Sequence, residues 1–124
     1  MSGSVRQGKK DIAVIIPTYD RPERLSNCLQ ALCDTDESFS RERFEVIVVD
    51  DGSSHSLQSI VEQYARRLEI TYIRQPNSGP AAARNRGALA ADSRYLCFTD
   101  DDCLPAKDWL PQLYSRLENA YEAV

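Results

Sequence analysis

Three consecutive aspartates, Asp100 to Asp102, end an apolar run that starts at Tyr95 and has the composition of a buried strand. Two carboxylates about 5 Å apart repel each other by about 3 kcal/mol at an effective dielectric constant of about 20, and a divalent cation would offset that cost. Alternate side chains of an extended backbone point the same way, so Asp100 and Asp102 could face one ion while Asp101 points elsewhere. Oxygen ligands select Mg2+ or Mn2+ over softer metals. A solvated acidic loop is the alternative explanation.

The elements that would position these aspartates alternate between strand and helix patterns. Apolar runs predict four strands, at residues 12–16, 44–49, 70–73 and 95–99, with Pro17 ending the first. Apolar residues at helical spacing predict helices at 22–33, 56–68, 81–91 and 107–121, and the charged residues 34–43 predict a surface loop. This alternation favours an α/β fold: an open, mostly parallel sheet with helices on both faces.

Polar clusters follow three of the predicted strands, at residues 17–20, 50–53 and 100–102. Ligands of open parallel sheets bind outside the carboxyl ends of the strands, so we expect the three clusters to meet in one site. No Gly-x-Gly-x-x-Gly follows a strand and no Gly-Lys-Ser or Gly-Lys-Thr occurs, so a diphosphate would need a metal and side chains.

The alanine-rich helix predicted before the fourth strand carries groups that could bind an anion. These are Arg84, Arg86 and the helix N-terminus that follows Gly79. A solvated helix face explains Arg86 equally well. We expect Gly87 to allow close packing of this helix against a strand, and Trp109, in the last helix, to anchor the core.

The overall composition excludes several classes of protein. The 124 residues suffice for one small domain, and hydrophobic and charged contents of 42% and 27% are ordinary for a globular protein. The net charge of −4 argues against a general nucleic-acid-binding protein. No apolar stretch is long enough for a membrane span, and residues 1–10 form a polar tail without a signal-peptide core. We therefore expect a cytoplasmic protein.

The four cysteines show no Cys-x-x-Cys spacing, and the chain has one histidine, His55, so a zinc site is not indicated. Without a secretory signal we expect reduced thiols. We expect Cys28, Cys33 and Cys97 to be buried, whereas Cys103 follows the acidic triplet and would lie beside a metal.

Four segments of the chain occur in an order and at a spacing that are typical of a known family. They read Ile-Ile-Pro-Thr-Tyr-Asp-Arg at 15–21, Val-Val-Asp-Asp-Gly-Ser at 48–53, Asn-Ser-Gly-Pro-Ala-Ala-Ala-Arg-Asn-Arg-Gly at 77–87 and Phe-Thr-Asp-Asp-Asp-Cys at 98–103. Together they resemble the nucleotide-binding half of a family 2 glycosyltransferase with the GT-A fold. The resemblance implies that residues 11–124 form the donor-binding part of such a domain, after the polar tail at 1–10. It also implies a role in polysaccharide or cell-wall biosynthesis.

The resemblance assigns the first two motifs to the base of a nucleoside diphosphate sugar. Pro17 and Tyr19 would line the base pocket, Tyr19 by stacking. Asp51 would hydrogen-bond the base, with uracil and therefore a UDP-sugar favoured, while Asp50 would only orient the loop. Arg84 lies in the segment that the family places beside the nucleotide.

The acidic triplet matches the family's Asp-x-Asp motif, which holds the metal and the diphosphate. The resemblance implies that Asp100 faces the ribose and that Asp102 binds the diphosphate through Mn2+ or Mg2+. Some members use the middle carboxylate, so Asp101 is the alternative metal ligand.

The catalytic base of inverting family members has no counterpart after Asp102. Asp108 and Glu118 lie in or beside the last helix. We therefore expect this chain to be part of a larger enzyme and to transfer little sugar alone, because general-base catalysis contributes about 10²–10⁴-fold. An exposed sheet edge and apolar face would also favour self-association.

Two other functions compete with the donor-binding part of a transferase. A nucleotide-binding module without transferase activity would explain the missing base. A phospho-receiver domain also places aspartates at strand ends, but it needs an acidic pair after its first strand and a lysine after its last. This chain has residues 17–19 and the acidic triplet at those places. Neither the sugar nor the acceptor is indicated.

Overall fold

The computed structural model describes residues 8–122, which form an open sheet of four parallel strands with helices on both faces. The strands are β1 (Lys10–Thr18), β2 (Phe44–Asp50), β3 (Ile70–Arg74) and β4 (Ser93–Phe98), in the spatial order β3-β2-β1-β4. The helices are α1 (Pro22–Cys33), α2 (Gln58–Glu62), α3 (Pro80–Ala90) and α4 (Trp109–Glu122). The predicted open parallel α/β fold is confirmed. Among the described helices, none has the length and apolar composition needed to cross a bilayer.

The side chains of β1, in the middle of the sheet, alternate between two hydrophobic layers. Ile12, Val14 and Ile16 face the layer that contains α1, α2 and α4, whereas Ala13 and Ile15 face α3. All five side chains are fully buried. The continuous apolar run at 12–17 is what a strand covered on both faces requires.

β1 runs through Pro17 to Thr18, so the prediction that Pro17 ends the strand was wrong. Successive residues of a central parallel strand direct their backbone groups to opposite neighbours. Ile15 accepts a hydrogen bond from Thr99 on the β4 side, and Thr18 accepts one from Asp51 on the β2 side. The absent N–H of Pro17 therefore falls on the β4 side, past the end of that ladder, where no backbone pairing is lost.

Two segments outside the strands differ from their predictions. The charged segment between α1 and β2 is not a plain surface loop, since Phe39 is buried against Tyr114 and Arg41–Arg43 form a 3-10 turn. The long helix predicted before β3 is shorter. Only Gln58–Glu62 is α-helical, and the turns that follow still bury Leu68.

All four cysteines are free thiols, as predicted. Only Cys28 is fully buried; Cys33 and Cys97 are half-buried, so the prediction of three buried cysteines was wrong for these two. Cys103 is exposed next to the acidic triplet. Burial raises the pKa of Cys28 to about 12 and that of Cys97 to about 11, which keeps both thiols protonated.

β3 and β4 form the two edges of the described sheet. The outward backbone groups of these strands have no strand partner within residues 8–122. Unpaired edges of this kind are templates for pairing with another chain. Self-association through such an edge stays a prediction.

α3 approaches the sheet closely at Gly87, as the sequence predicted. A Cβ atom at this position would lie 2.4 Å from Cγ2 of Ile15 and 3.3 Å from Cγ2 of Val49. Both neighbours are fully buried, so neither can move without disturbing the core. The absence of a side chain at Gly87 therefore sets the distance between α3 and the sheet.

We predict that Gly87→Ala destabilises the fold by about 1–3 kcal/mol, the usual cost of overpacking, although alanine is favoured by about 1 kcal/mol in an ordinary helix. Urea denaturation followed by circular dichroism measures the change. Arg86→Ala, at an exposed position of the same helix, is the matched control and should change the free energy of unfolding by less than about 0.5 kcal/mol. A Gly87→Ala variant as stable as the wild type would contradict the steric explanation.

Candidate functional site

A cleft of roughly 320 Å³ opens at the carboxyl ends of β1, β2 and β4. Its walls come from these strand ends and from the beginning of α3. It brings together all seven side chains predicted for the site: Pro17, Tyr19, Asp51, Arg84, Asp100, Asp101 and Asp102. Four residues that sequence reasoning did not select complete the lining: Thr18, Arg21, Pro80 and Ala83. The expectation that the three polar clusters meet at one edge of the sheet is therefore confirmed.

Asp51 is nearly buried in the wall of the cleft. Gln75 Nε2 and the Ser78 N–H donate to its Oδ1 at 2.9 and 2.8 Å, and the Gly79 N–H donates to its Oδ2 at 2.9 Å. Burial alone would raise the pKa of Asp51, but these three hydrogen bonds outweigh burial and lower it. The side chain is thus a carboxylate at neutral pH, and it ties the loop between β3 and α3 to the end of β2.

The neighbouring Asp50 is fully buried and does not line the cleft. The Tyr72 hydroxyl of β3 and the backbone N–H of Ser53 donate hydrogen bonds to its carboxylate. Asp50 therefore shapes the turn after β2 from inside the protein.

Tyr19 projects from the end of β1 with 48% of its surface exposed. The next residue, Asp20, adopts a left-handed backbone conformation with a φ of 52°. The Asp20 N–H donates to Ser53 Oγ at 2.8 Å, and the Asp20 carboxylate accepts the Ser54 N–H at 2.7 Å. The loop that presents the Tyr19 ring is thereby held against the end of β2.

The acidic triplet forms a turn, and not the extended segment assumed from the sequence, because β4 ends at Phe98. The Cys103 N–H donates to the carbonyl oxygen of Asp100 at 3.1 Å and closes this turn. Asp100 and Asp102 are both exposed, and an oxygen of each lies with the Cys103 Sγ in a group whose atoms are all within 4.8 Å of one another. Asp101 is outside this group and is only 3% exposed.

The two exposed carboxylates of the triplet fit a hard divalent cation. Mg2+ and Mn2+ prefer oxygen ligands, and Mg2+ commonly binds one or two protein carboxylates together with water and phosphate oxygens. Asp100 and Asp102 offer such a pair in the lining of the cleft. The arrangement favours this pair as metal ligands over a pair that includes Asp101.

Two arginines at the start of α1 lie beside the triplet. Arg21 Nη1 is 3.4 Å from Asp101 Oδ1, and Arg24 Nη1 is 3.8 Å from Asp102 Oδ2. Both arginine side chains are about half-exposed, at 52% and 56%. They offset part of the repulsion among the three carboxylates. The sequence did not predict Arg21 as a site residue, because its partner Asp101 is 80 residues away along the chain.

α3 contributes one arginine to the cleft. Arg84 belongs to the lining, whereas Arg86 is exposed outside it, so the solvated-face explanation holds for Arg86. The helix begins at Pro80 after Gly79, whose φ of 98° is a conformation that glycine adopts without strain. Because the Gly79 N–H is already bonded to Asp51, only part of this helix terminus can receive an anion.

The carboxylates that follow the triplet in sequence, Asp108 and Glu118, do not line the cleft. Glu118 accepts hydrogen bonds from the Tyr95 hydroxyl and from Arg94, and the bond from Tyr95 is the main cause of its lowered pKa. Trp109 is half-buried against the hydrophobic layer, as expected of a core anchor. Within residues 8–122, the cleft therefore has no carboxylate beyond those already described.

The sequence of this chain matches a family model described as "Glycosyl transferase family 2" over residues 13–124. It is 36% identical over 102 residues to Glycosyltransferase AglE of Haloferax volcanii, a match that covers 80% of this chain and 33% of AglE. It is also 36% identical over 108 residues to the chondroitin synthase of Escherichia coli, covering 86% of this chain and 15% of the synthase. The chain thus spans a third or less of the length of these curated relatives.

Two solved structures share the fold and contain a nucleotide sugar. The structure of S. aureus TarS 1-349 in complex with UDP-GlcNAc has a TM-score of 0.80 and 31% identity, over 88% of this chain and 31% of that one. The mannosyltransferase PcManGT from Pyrobaculum calidifontis, in complex with GDP-Man and Mn2+, has a TM-score of 0.74 and 27% identity. That match covers 90% of this chain and 32% of the mannosyltransferase.

The hydrogen bonds to Asp51 predict a pH dependence of stability. Its pKa in the folded state lies below the ordinary value of 3.8, so its stabilising contribution is complete above that value and is lost as the pH falls through the lowered pKa. We predict that the wild type is more stable than Asp51→Asn at neutral pH and that this difference shrinks below about pH 4. Urea denaturation of both proteins at several pH values measures it.

Gln75→Ala provides a second arm of this test, because it keeps the Asp51 carboxylate and removes one donor. Its stability loss should be smaller and should fade over the same pH range. A wild-type advantage over Asp51→Asn that stays constant down to about pH 3 would show that the carboxylate charge contributes nothing.

Proposed function

The chain belongs to glycosyl transferase family 2, and we propose that it forms the donor-binding part of an enzyme that transfers a sugar from a nucleoside diphosphate to an acceptor hydroxyl. The observation that carries the proposal is the convergence of an aromatic ring, a buried aspartate, an arginine and an exposed pair of carboxylates in one cleft. The similarity to a TarS structure with bound UDP-GlcNAc supports it.

The base of the nucleotide would occupy the end of the cleft near Tyr19 and Pro17. A half-exposed aromatic ring offers a stacking surface, and stacking on an aromatic side chain is worth about 1–3 kcal/mol per base. Asp51 would accept a hydrogen bond from a base N–H through the second lone pair of Oδ2, which already accepts the Gly79 N–H at 2.9 Å and has only a long contact with Asn77, at 3.4 Å. Uracil presents an N–H of this kind, and we propose a UDP-sugar as the donor because the family resemblance favours uracil and the related TarS is solved with UDP-GlcNAc.

The diphosphate would lie at the opposite end of the cleft, between Arg84 and the acidic turn. Asp100 and Asp102 would hold Mn2+ or Mg2+, with Asp100 also beside the ribose. The bound ion would stabilise the charge that grows on the departing diphosphate. Arg84 supplies a guanidinium group, which suits phosphate oxygens. The manganese in the structure of the related mannosyltransferase supports a metal-dependent site.

We propose inversion at the anomeric carbon, with the acceptor hydroxyl deprotonated by a base that does not come from residues 8–122. Asp51 is engaged by the loop before α3, Asp101 is buried, and the exposed pair is assigned to the metal. The general base typically contributes about 10²–10⁴-fold to the rate. The chain by itself should therefore bind a donor and transfer little sugar, and a sugar-transfer assay tests this expectation.

We predict that UDP binds this chain in the presence of Mn2+ and that Asp102→Asn weakens this binding by about 100-fold or more. Residues that only orient metal ligands cost about 10–100-fold when they are removed, and a direct ligand should cost at least as much. Isothermal titration of UDP with and without Mn2+ measures the effect. Asp108→Asn, a nearby carboxylate outside the cleft, is the matched control and should bind like the wild type.

A parallel titration with GDP separates the base from the rest of the proposal. Binding of GDP in preference to UDP would overturn the assignment of uracil and leave nucleotide binding in place. If a folded wild-type chain bound neither nucleotide, the donor-site proposal would fail for this chain.

We predict that Tyr19→Ala weakens UDP binding by about 10-fold, or about 1.4 kcal/mol, which lies within the 1–3 kcal/mol range of base stacking. Tyr19→Phe keeps the ring and loses only the hydroxyl, so its affinity should stay close to that of the wild type. The same titrations measure both variants. Equal losses in the two variants would assign the effect to the hydroxyl and contradict stacking.

A further inference from the structure

The middle aspartate of the acidic triplet is buried, whereas both of its neighbours are exposed. Asp101 has 3% of its surface accessible, although it sits in a turn at the rim of the sheet. Burying a carboxylate away from water costs free energy unless hydrogen bonds or an opposite charge compensate for the lost hydration. The burial of Asp101 therefore requires partners, and those partners indicate what the side chain does.

Both carboxylate oxygens of Asp101 have partners on the segment at the end of β1. Thr18 Oγ1 donates to Oδ2 at 2.8 Å in a buried contact, and Arg21 Nη1 lies 3.4 Å from Oδ1. Such a carboxylate keeps lone pairs that could bind a metal, but Asp101 lies outside the group of possible ligand atoms that contains Asp100 and Asp102. Those two side chains are exposed, and Asp102 has only a long contact with an arginine, at 3.8 Å.

The contact between Thr18 and Asp101 continues the pairing of β1 with β4 beyond the point where the backbone ladder stops. The last pair of that ladder is Ile15 with Phe98, and the same offset along both segments places Thr18 opposite Asp101. Thr18 also accepts the Asp51 N–H at 2.9 Å through its carbonyl oxygen. One threonine thus joins the end of β2, the end of β1 and the acidic turn.

We propose that Asp101 is a positioning residue: anchored by Thr18, it holds Asp100 and Asp102 in place and is not itself a metal ligand. The inference rests on the proposed function as far as the metal is concerned, but the anchoring contact exists without a metal. It also makes Thr18 the link between the proposed base end of the cleft, formed by Pro17 and Tyr19, and the proposed metal end.

The first test measures Mn2+ affinity in the presence of UDP from the electron paramagnetic resonance signal of free Mn2+. Thr18→Val keeps the side-chain volume, removes the donor and touches no proposed ligand, and it should weaken Mn2+ binding by about 10–100-fold. Thr18→Ser restores the hydroxyl and should restore most of the affinity. Thr71→Val, on the exposed surface of β3, is the matched control and should have no effect.

Substitution of the aspartates distinguishes anchoring from ligation. Asp101→Asn keeps an oxygen for Thr18 and should cost less Mn2+ affinity than Asp102→Asn. If Asp101→Asn abolished binding as completely as Asp102→Asn while Thr18→Val bound Mn2+ like the wild type, Asp101 would be the ligand and the proposal would be overturned.

Amide hydrogen exchange supplies a second test that needs no metal. Thr18→Val should speed exchange of the Cys103 N–H, which closes the turn, by about 10-fold or more, because the turn loses its anchor. Exchange at Val48, in the core of β2, should stay unchanged and shows that the variant is folded. Unaltered exchange at Cys103 would overturn the anchoring role.

The exchange test also separates this inference from the proposed function. If no form of the chain bound Mn2+, the proposed function would fail, and the exchange rate of the Cys103 N–H would still show whether Thr18 anchors the turn.

Discussion

Buried carboxylates at the carboxyl edge of the sheet draw their hydrogen-bond donors from different chain segments, and the shape of the cleft depends on those donors. Asp50 is held by Tyr72 of β3, and Asp51 is held by the loop that leads into α3. Asp101 is held by Thr18 at the end of β1. Losing a hydrogen bond to a buried charged group typically costs about 1.5–3 kcal/mol. The rim loops cannot separate without such a loss, so the cleft keeps its shape although regular secondary structure ends at its walls.

The exposed polar groups of the rim have a complementary property: neighbouring groups position them, yet they stay accessible. The Tyr19 ring lies on a loop that the hydrogen bond from the Asp20 N–H to Ser53 holds in place. Asp100 and Asp102 flank Asp101, which Thr18 anchors. The contact of Arg24 with Asp102 joins two half-exposed groups at 3.8 Å, and pairs of this kind contribute about 0–1 kcal/mol. A cation or a diphosphate can therefore replace that contact at little cost.

The sequence predicted the sheet, α1 and α3 because each of these depends on local spacing, whereas the family resemblance selected the side chains that converge in the cleft. Apolar runs and the aspartates that follow them can be recognised from a few consecutive residues. The glycine at position 87 of the predicted helix likewise indicates close packing without knowledge of distant partners. What the sequence did not predict depends on partners far along the chain. Pro17 continues β1 because β4 ends before its missing N–H would matter. Phe39 is buried because α4 brings Tyr114 against it, and Thr18 becomes important only through a contact 83 residues away.

Asp100 and Asp102 lie on one side of the triplet for a reason that the sequence does not reveal. In an extended strand, the pleat alone would place them together. The triplet is a turn instead, and the placement results because Asp101 is anchored in the interior while its neighbours stay outside. The repulsion among the three carboxylates, which a metal would offset, is reduced by two arginines at the start of α1. The feature of this chain that favours a metal is therefore the exposed pair of carboxylates, Asp100 and Asp102, and not the charge density of the triplet.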